Sequence, residues 1–185
     1  MRIVAGKLRG RRVDTPDSRD IRPTGDRVRE ALFDILVHGR PSLPDGAVVA
    51  DIFCGTGALG LEALSRGAAH SVFMDNDRAA LNLARRNATQ LGVANQATFL
   101  LRDARRPGPP PKPVDLLFLD APYRSDLSAP VLAALVESGW PRPGAIVVVE
   151  LEKTEDLVLP EGCEGYDERR YGGTKLVFAR LTNAS

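Results

Sequence analysis

Four short apolar runs recur between residues 47 and 120, and each of them ends at or just before an aspartate. Each run has the length of a strand, and segments with apolar residues spaced three and four apart lie between the runs. Such an alternation predicts an α/β fold in which a parallel sheet carries helices on both faces. Ligands bind at the carboxyl ends of strands in open sheets of this kind. We therefore expect the four acids to border one site: Asp51, Asp75, Asp103 and Asp120.

The boundaries of the predicted elements follow from the spacing of apolar residues and from turn residues. Strands are expected over residues 47–50, 70–75, 97–101, 114–119 and 145–150, and helices over residues 59–66, 77–91 and 126–138. Gly172-Gly173 separates two further runs, 165–171 and 175–181, which predicts a β-hairpin. Residues 105–113 contain five prolines, so an extended loop is expected there.

A glycine-rich segment follows the first of these strands and reads DIFCGTGALG over residues 51–60. Gly55 and Gly57 permit a tight turn and a close approach of the backbone to a ligand. By its three glycines the segment also matches the dinucleotide fingerprint. However, Asp51 lies four residues before Gly55, where a carboxylate can accept a hydrogen bond from a cationic amine and repels a pyrophosphate. The segment therefore favours a cofactor with an amino-acid part.

Two further acids suit the other parts of such a cofactor. Asp75 lies about twenty residues after the glycines, where an acid binds ribose hydroxyls, and Asp103 can accept a hydrogen bond from an adenine amino group. Either acid can instead be a helix N-cap or a loop carboxylate. The expected cofactor contacts are Asp51, Phe53, Gly55, Gly57, Asp75, Asn76, Asp103, Ala104 and Asp120.

The tetrad Asp120-Ala121-Pro122-Tyr123 directly follows the run 114–119. A carboxylate and a backbone carbonyl can accept the two hydrogens of a planar amino group, and an aromatic ring can stack on the group that carries it. The tetrad therefore predicts methylation of an amino group. Asp and Pro are also common in ordinary turns, so the tetrad alone does not exclude a strand-ending turn.

Positive charge is concentrated at the N-terminus. Residues 1–29 contain nine Lys or Arg and four Asp, whereas the whole chain has a net charge of +1. This asymmetry favours a contact with nucleic acid, because clustered arginines bind phosphates; a solvated basic tail is the alternative. A small hairpin over residues 3–13 and a helix that is capped by Thr24 or Asp26 are expected here. The expected nucleic-acid contacts are Arg9, Arg11, Arg22, Thr24, Arg27 and Arg29.

Length and composition are those of one globular unit, with 185 residues of which 43% are hydrophobic. We divide it into a basic N-terminal extension, residues 1–40, and a cofactor-binding catalytic domain, residues 41–185. No apolar stretch resembles a signal peptide or a membrane span, so a cytoplasmic protein is expected. The two cysteines lack metal-ligand spacing, and no metal site is expected.

The glycine-rich segment and the three cofactor acids resemble those of the class I S-adenosylmethionine-dependent methyltransferases. The tetrad resembles the D/N-P-P-Y/F signature of the amino-methylating branch, with Ala121 in place of the first proline. The segments Arg22-Pro23-Thr24 and Asp26–Glu30, the basic opening and the closing Tyr171-Gly172 with Thr174 are similar to the RsmD family. This resemblance covers essentially the whole chain.

The resemblance implies a Rossmann-like, mostly parallel seven-stranded sheet with a C-terminal antiparallel hairpin. It implies that S-adenosylmethionine is the methyl donor and that the acceptor is the exocyclic N2 of a guanine in bacterial 16S rRNA. The RNA can be naked or part of the small ribosomal subunit or its precursor, and the enzyme is expected to be a monomer. In this family Asp120 and the Ala121 carbonyl would accept the two N2 hydrogens, and Tyr123 would stack on the base.

Other functions fit parts of the sequence. The same tetrad can methylate DNA adenine or a protein glutamine, although no segment is long enough for a DNA target-recognition insertion, and a glutamine methyltransferase does not need a basic N-terminus. The three glycines suggest a nicotinamide-dependent oxidoreductase, and the basic N-terminus suggests a non-catalytic RNA-binding module. Affinity for S-adenosylmethionine or for NAD distinguishes these classes.

Overall fold

A computed structural model describes residues 1–16, 25–39, 42, 44–123 and 126–182. The strands form one seven-stranded sheet in the order β3-β2-β1-β4-β5-β7-β6. The first five strands are parallel to one another, whereas β7 is antiparallel to both β5 and β6. The strands are β1 Val48–Ile52, β2 His70–Asp75, β3 Ala97–Leu101, β4 Val114–Leu119, β5 Pro141–Glu152, β6 Cys163–Tyr171 and β7 Thr174–Leu181.

Four α-helices are present in the described residues: α1 Asp26–His38, α2 Ala58–Ser65, α3 Arg78–Leu91 and α4 Ser128–Glu137. The helices α1, α2 and α3 pack on one face of the sheet, where Phe33, Leu64 and Phe118 share a core. The helix α4 packs on the other face, where Val131 and Trp140 share a second core with the strands. The predicted α/β class, with helices on both faces and a C-terminal antiparallel hairpin, is confirmed.

Most element boundaries lie within two residues of those expected from the sequence pattern, and three places are informative. The strand β5 begins at Pro141 rather than at 145, and its pairing with β4 shifts register between Val114 and Leu116. The helix α4 begins at Ser128 rather than at 126, because Asp126 has a left-handed backbone with φ 51° that does not continue into a right-handed helix. At α1 the N-cap is Gly25, without a side-chain cap, so the expected Asp26 cap is wrong; Thr24 lies outside the described residues.

Local sequence signals account for the elements that border the site. Asp77 caps α3 by accepting from the Ala79 N–H, and Gly92 ends that helix with φ 77°. Gly172-Gly173 forms the two-residue turn between Tyr171 and Thr174, which are paired across the β6–β7 hairpin. The proline-rich residues 105–113 contain neither helix nor strand.

The N-terminal residues pack on the same core as the sheet. Arg2 pairs with Arg12 in an isolated antiparallel bridge, and Ile3, Leu8 and Val13 are buried with the first core. The carboxylate of Glu62, in α2, accepts hydrogen bonds from the Val4 and Ala5 N–H groups at 2.9 Å each. These hydrogen bonds therefore join the N-terminal hairpin to α2, the helix that begins within the glycine-rich segment.

Within the described residues, none of the helices has the length and apolar character that a membrane crossing requires. The same part of the chain contains no group of three or more His, Cys, Asp or Glu side chains that could hold a metal ion.

Candidate active site

The chain reverses direction between β1 and α2 through three residues with left-handed backbone. Phe53 has φ 60°, Gly55 has φ 52° and Gly57 has φ 79°. Phe53 carries a side chain in this conformation at a cost, which is typical of functional segments. A Cβ on Gly55 would have no atom within 4 Å, so the backbone at Gly55 faces open space. A ligand can approach this backbone closely.

The third glycine of the segment has a different role. Gly60 lies in α2 with an ordinary helical backbone. A Cβ at this position would lie 2.4 Å from Phe73 Cε1 and 2.5 Å from Ser71 Oγ, both in β2. Gly60 therefore permits α2 to pack closely on the sheet. This requirement is independent of the ligand class, so the match to a dinucleotide fingerprint does not identify the cofactor.

Asp51 is buried at the carboxyl end of β1, with 2% of its surface exposed. Its Oδ2 accepts the Gly60 N–H at 2.9 Å, which joins the end of the strand to the start of α2. Burial raises the pKa of Asp51 to about 7, the hydrogen bond from Gly60 opposes that rise, and the charge of Asp75 adds to it. A nearby positive charge stabilises the ionised form of a buried carboxyl group, so Asp51 favours a cationic ligand.

Asp75, at the carboxyl end of β2, organises the glycine-rich segment from the other side. Its Oδ2 accepts the Gly55 N–H at 3.0 Å and its Oδ1 accepts the Asp77 N–H at 2.9 Å. The neighbouring Asn76 is exposed. Asp51 and Asp75 are thus both held by backbone N–H groups, and each carboxylate oxygen keeps a lone pair for a ligand.

Asp103 lies after β3 and is engaged by a neighbour. Arg105 donates to both of its oxygens, with Nη2 at 2.7 Å from Oδ2. These hydrogen bonds lower the pKa of Asp103 to about 2. Ala104, the next residue, is buried in the second core. A ligand that binds Asp103 must share it with Arg105, which is mostly exposed.

The tetrad follows β4, next to the end of β1. The Asp120 N–H donates to the Ile52 carbonyl at 3.4 Å, and Ala121 is buried. Asp120 remains partly accessible, yet burial of the carboxyl group raises the pKa of Asp120 well above its usual range. The charges of Glu150 and Asp51 raise it further. Because Ile52 pairs with Leu119, Asp120 and Asp51 lie at the same edge of the sheet, close enough for their charges to interact.

Tyr123 ends the tetrad with an anchored hydroxyl group and an accessible ring. The side chain is 41% exposed, and its hydroxyl oxygen lies 3.0 Å from both Glu150 Oε1 and Thr174 Oγ1. Burial of the hydroxyl end raises the pKa of Tyr123 to about 12, and the charge of Glu150 adds to the rise. The phenol is therefore neutral and acts as a hydrogen-bond donor.

Glu150 was absent from the predicted site residues. It lies at the end of the apolar run 145–150 and is 6% exposed. An acid at the end of a fifth strand was the available signal, because the run was itself predicted as a strand. Only the strand order, with β5 next to β4, brings Glu150 to Asp120.

The carboxyl ends of β1, β2 and β4 carry several acidic side chains: Asp51, Asp75 and Asp120. In the described part of the chain, no Lys or Arg forms an ion pair with Asp51, Asp75 or Asp120. Buried carboxylates without cationic partners attract positive charge and repel a pyrophosphate. The residues present therefore fit S-adenosylmethionine, which carries a sulfonium and an amino group, better than a dinucleotide.

The predicted RNA contacts are distributed over different environments. Arg9 and Arg27 are exposed. Arg11 donates to the Gln90 and Leu91 carbonyls at 2.6 Å and 3.2 Å, at the C-terminal end of α3. Arg22 and Thr24 lie outside the described residues.

Arg29 differs from the expectation, because it does not reach solvent. It is 1% exposed, and its guanidinium pairs with Asp26 at 2.9 Å and with Glu62 at 3.4 Å. It also donates to the Arg2 carbonyl. Arg29 thus links α1 to the N-terminal hairpin and to α2. The sequence pattern did not reveal this burial, because Glu62 lies 33 residues away along the chain.

A family model described as "Conserved hypothetical protein 95" matches residues 1–180. The Haemophilus influenzae protein named "Ribosomal RNA small subunit methyltransferase D" is 35% identical over 181 residues, which cover 93% of this chain and 89% of that protein. The chain belongs to the RsmD family. The resemblance inferred from the sequence motifs is confirmed.

Solved structures agree with the fold of this RsmD-family chain. The Escherichia coli protein yhhF is 32% identical, with a TM-score of 0.84 over 100% of this chain and 99% of that one. An RNA methyltransferase from Salinibacter ruber, solved with S-adenosyl-L-homocysteine, is 18% identical with a TM-score of 0.66, over 89% of this chain and 96% of that one. These neighbours show that the sheet has the Rossmann-like class I methyltransferase architecture.

Proposed function

We propose that this chain transfers a methyl group from S-adenosylmethionine to the exocyclic N2 of a guanine in small-subunit ribosomal RNA. The observation that carries the proposal is the tetrad Asp120–Tyr123, which follows β4 directly beside the end of β1, where the glycine-rich segment begins. The family and the name of the Haemophilus influenzae relative support the RNA substrate.

The positions of the acids at the strand ends and of the glycine-rich segment support a proposed set of cofactor contacts. Asp51 would bind the methionine amino group, Asp75 the ribose hydroxyls, and the backbone at Gly55 and Gly57 would pass close to the ligand. Phe53, Asn76, Asp103, Ala104 and Asp120 would complete the pocket. S-adenosylmethionine supplies a methyl group on a sulfonium, which is an activated leaving group.

The acceptor amine needs assistance, because the lone pair of guanine N2 is delocalised into the ring. Asp120 would accept one N2 hydrogen and the Ala121 carbonyl the other, so that the lone pair points toward the methyl group. Positioning of this kind contributes a large part of the rate in reactions between two bound groups. Pro122 restricts the backbone between Ala121 and Tyr123, and the Tyr123 ring would stack on the base, which must leave its helix to react.

The charge state of Asp120 connects the two ligands. A neutral carboxyl group accepts hydrogen bonds poorly, and burial together with Glu150 and Asp51 favours that neutral form. Positive charge in the pocket lowers the pKa of a neighbouring carboxyl group. We therefore expect binding of the cationic cofactor to convert Asp120 to the form that accepts from the amine, so that the cofactor prepares the site for the base.

We further propose that residues 1–40 are an RNA-binding extension of the catalytic residues 41–185. Arg9 and Arg27, which are exposed, and Arg22 and Thr24 would contact phosphates. Arg11 uses donors on the end of α3 and would contribute less. Arg29 would stabilise the extension rather than contact RNA, because it is buried and forms an ion pair with Glu62. The acceptor RNA is proposed to be 16S rRNA, alone or within the small subunit or its precursor.

The test is transfer of labelled methyl groups from S-adenosylmethionine to unmodified small-subunit RNA and to subunit particles. Nucleoside analysis should find N2-methylguanosine with the wild-type protein and none with Asp120→Ala. The exposed Asp45 provides a matched control, and Asp45→Ala should retain activity. Tight cofactor binding without RNA labelling would refute the proposal and direct the search to DNA adenine and protein glutamine.

A nicotinamide-dependent oxidoreductase remains the alternative of another class. Buried Asp51 and Asp75 oppose a pyrophosphate beside the glycine-rich segment. A calorimetric titration with NAD should therefore give no binding at concentrations where S-adenosylmethionine saturates the protein. A non-catalytic RNA-binding module would bind neither cofactor.

A further inference from the structure

The hydroxyl group of Tyr123 lies at the centre of a short hydrogen-bond chain. Its oxygen is 3.0 Å from Glu150 Oε1 and 3.0 Å from Thr174 Oγ1. An ionised carboxylate can only accept, so Tyr123 donates to Glu150 and its oxygen remains free to accept from the Thr174 hydroxyl. The hydrogen bonds therefore run from Thr174 to Tyr123 and from Tyr123 to Glu150. The single phenol proton takes part only in the second of them.

The two partners of Tyr123 come from rigid elements. Glu150 lies in β5 and is paired with Leu176 in β7. Thr174 is the first residue of β7, paired with Glu152 on one side and Tyr171 on the other. Tyr123 itself lies in a loop after β4. The sheet therefore fixes the hydroxyl end of Tyr123, a residue that is 41% exposed.

Glu150 is also the neighbour of Asp120. Leu119, the last residue of β4, pairs with Val149 in the parallel ladder between β4 and β5, so Asp120, which directly follows β4, lies beside Glu150 of β5. Side chains at the same level of adjacent strands point to the same face. Consistent with this register, the charge of Glu150 contributes to the raised pKa of Asp120.

We propose that Glu150 and Thr174 are positioning residues, which hold the Tyr123 ring as the stacking surface for the acceptor base; this inference rests on the proposed function. The C-terminal β6–β7 hairpin then belongs to the active site, because it supplies Thr174. Glu150 has a second effect, since its negative charge sets the protonation of Asp120 beside it.

The first test compares turnover of two pairs of variants. Glu150→Ala should lower kcat on RNA by about 100-fold, the loss that a small misplacement of a reacting group can cause, with an unchanged KM for S-adenosylmethionine. Glu150→Gln keeps an acceptor oxygen and should retain kcat at its pH plateau. Thr174→Val should lower kcat by roughly tenfold, the contribution of about one hydrogen bond, and Thr174→Ser should restore it. Equal losses in Gln and Ala, or in Ser and Val, would overturn the proposal.

The pH profile separates the charge of Glu150 from its hydrogen bond. The ionisable groups near Asp120 are Asp51 of β1, Glu150 of β5 and the Tyr123 phenol. Glu150→Gln removes one negative charge, so the pKa of Asp120 should fall and the acid limb of the kcat profile should move to lower pH. An unchanged limb would exclude this second effect. Glu164→Ala, an exposed glutamate on β6, is the matched control.

The second test does not depend on turnover. The ring signals of Tyr123 can be observed by NMR in protein with labelled tyrosine and assigned with Tyr123→Phe, with Tyr166→Phe as the control. Glu150→Ala and Thr174→Val should broaden or average the Tyr123 signals, whereas Glu150→Gln and Thr174→Ser should preserve them. Unchanged signals in all variants would overturn the positioning role. Wild-type protein that fails to methylate RNA but shows these changes would refute the proposed function alone.

Discussion

The site has two halves that hold their acids in different ways. In the cofactor half, residues 51–60 and 75–76 with 103–104, Asp51 and Asp75 accept backbone N–H groups from the glycine-rich segment. In the acceptor half, residues 120–123 with Glu150 and Thr174, the phenol of Tyr123 joins side chains from two strands. The cofactor half is therefore fixed by the course of the backbone, whereas the acceptor half depends on individual side chains.

The difference suits the two ligands. A site built from backbone groups changes little when side chains vary, which suits the proposed cofactor. A network of side chains can be altered without changing the sheet, which suits the proposed recognition of one acceptor base. Substitutions in the two halves should consequently affect different steps.

The largest expected effect separates chemistry from cofactor binding. Asp120→Ala should lower turnover by about 10³-fold, within the range for loss of a group that handles a proton, and should leave the Kd for S-adenosylmethionine nearly unchanged. Asp51→Ala should raise that Kd by about 10- to 100-fold, the loss of a hydrogen bond to a charged group. Calorimetry and single-turnover rates measure both quantities. Equal weakening of cofactor binding in the two variants would mean that the halves are not separate.

Several features of both halves were predictable from the sequence. The strand–helix alternation predicts the sheet, and the positions of Asp51, Asp75 and Asp120 at strand ends predict a shared edge. These signals are local, because a strand, a turn and a helix cap are each encoded within a few residues. The Gly172-Gly173 turn predicts its hairpin for the same reason.

The remainder depends on strand order and on distant partners. Glu150 meets Asp120 only because β5 lies beside β4, and Thr174 joins them only because β7 is the next strand. The burial of Arg29 depends on Glu62, which belongs to another helix. The spacing of basic residues along the sequence does not distinguish an arginine that binds RNA from one that is buried in an ion pair.

The second prediction concerns the pH dependence of stability in the cofactor half. Asp51 has an ordinary pKa of 3.8 and a pKa of about 7 in the folded protein. Between these values the folded state binds more protons than the unfolded state, so stability should fall as pH rises. A shift of this size corresponds to about 4 kcal/mol.

Urea unfolding of the ligand-free protein at pH 5 and pH 8 should measure about 2–3 kcal/mol of this loss, because the unfolded carboxyl group is already mostly ionised at pH 5. Asp51→Asn should remove the part of the pH dependence that belongs to Asp51, because an amide keeps an acceptor for the Gly60 N–H and does not titrate. Asp120, whose pKa is also raised by burial of its carboxyl group, contributes with the same sign, so a pH dependence should remain in this variant. An Asp51→Asn protein with the full wild-type pH dependence would refute the assignment.

The third prediction separates two glycines of the same segment. Gly60→Ala places a Cβ 2.4 Å from Phe73 Cε1, and this overpacking should reduce stability by about 1–3 kcal/mol. Gly55→Ala meets no atom within 4 Å but adds a methyl group on the ligand side at φ 52°, so it should weaken cofactor binding more than folding.

Gly46→Ala is the matched control for Gly55→Ala. Gly46 lies in the turn before β1 with φ 69°, and no atom lies within 4 Å of the position of an added Cβ. An alanine at this left-handed position should reduce stability by about 1–2 kcal/mol, as at Gly55, but away from the proposed ligand. Unfolding and S-adenosylmethionine titration should give similar losses of stability for these two variants and weaker binding only for Gly55→Ala. Equal affinity for S-adenosylmethionine in both variants would mean that the cofactor does not contact the backbone at Gly55.

The smallest effect is expected outside both halves, on the N-terminal extension. Arg27 is exposed in the first turn of α1, and if it contacts one phosphate, Arg27→Ala should reduce the slope of RNA affinity against salt by about one. Arg142 supplies the control. It lies near the start of β5, at the end of the strands opposite to the carboxyl ends that border the site, and Arg142→Ala should leave the slope unchanged. An unaltered slope in Arg27→Ala would assign the contact to other cations of the extension. A lower kcat at saturating RNA would instead place Arg27 in the acceptor half, because a phosphate contact that only adds affinity does not change the rate of the bound complex.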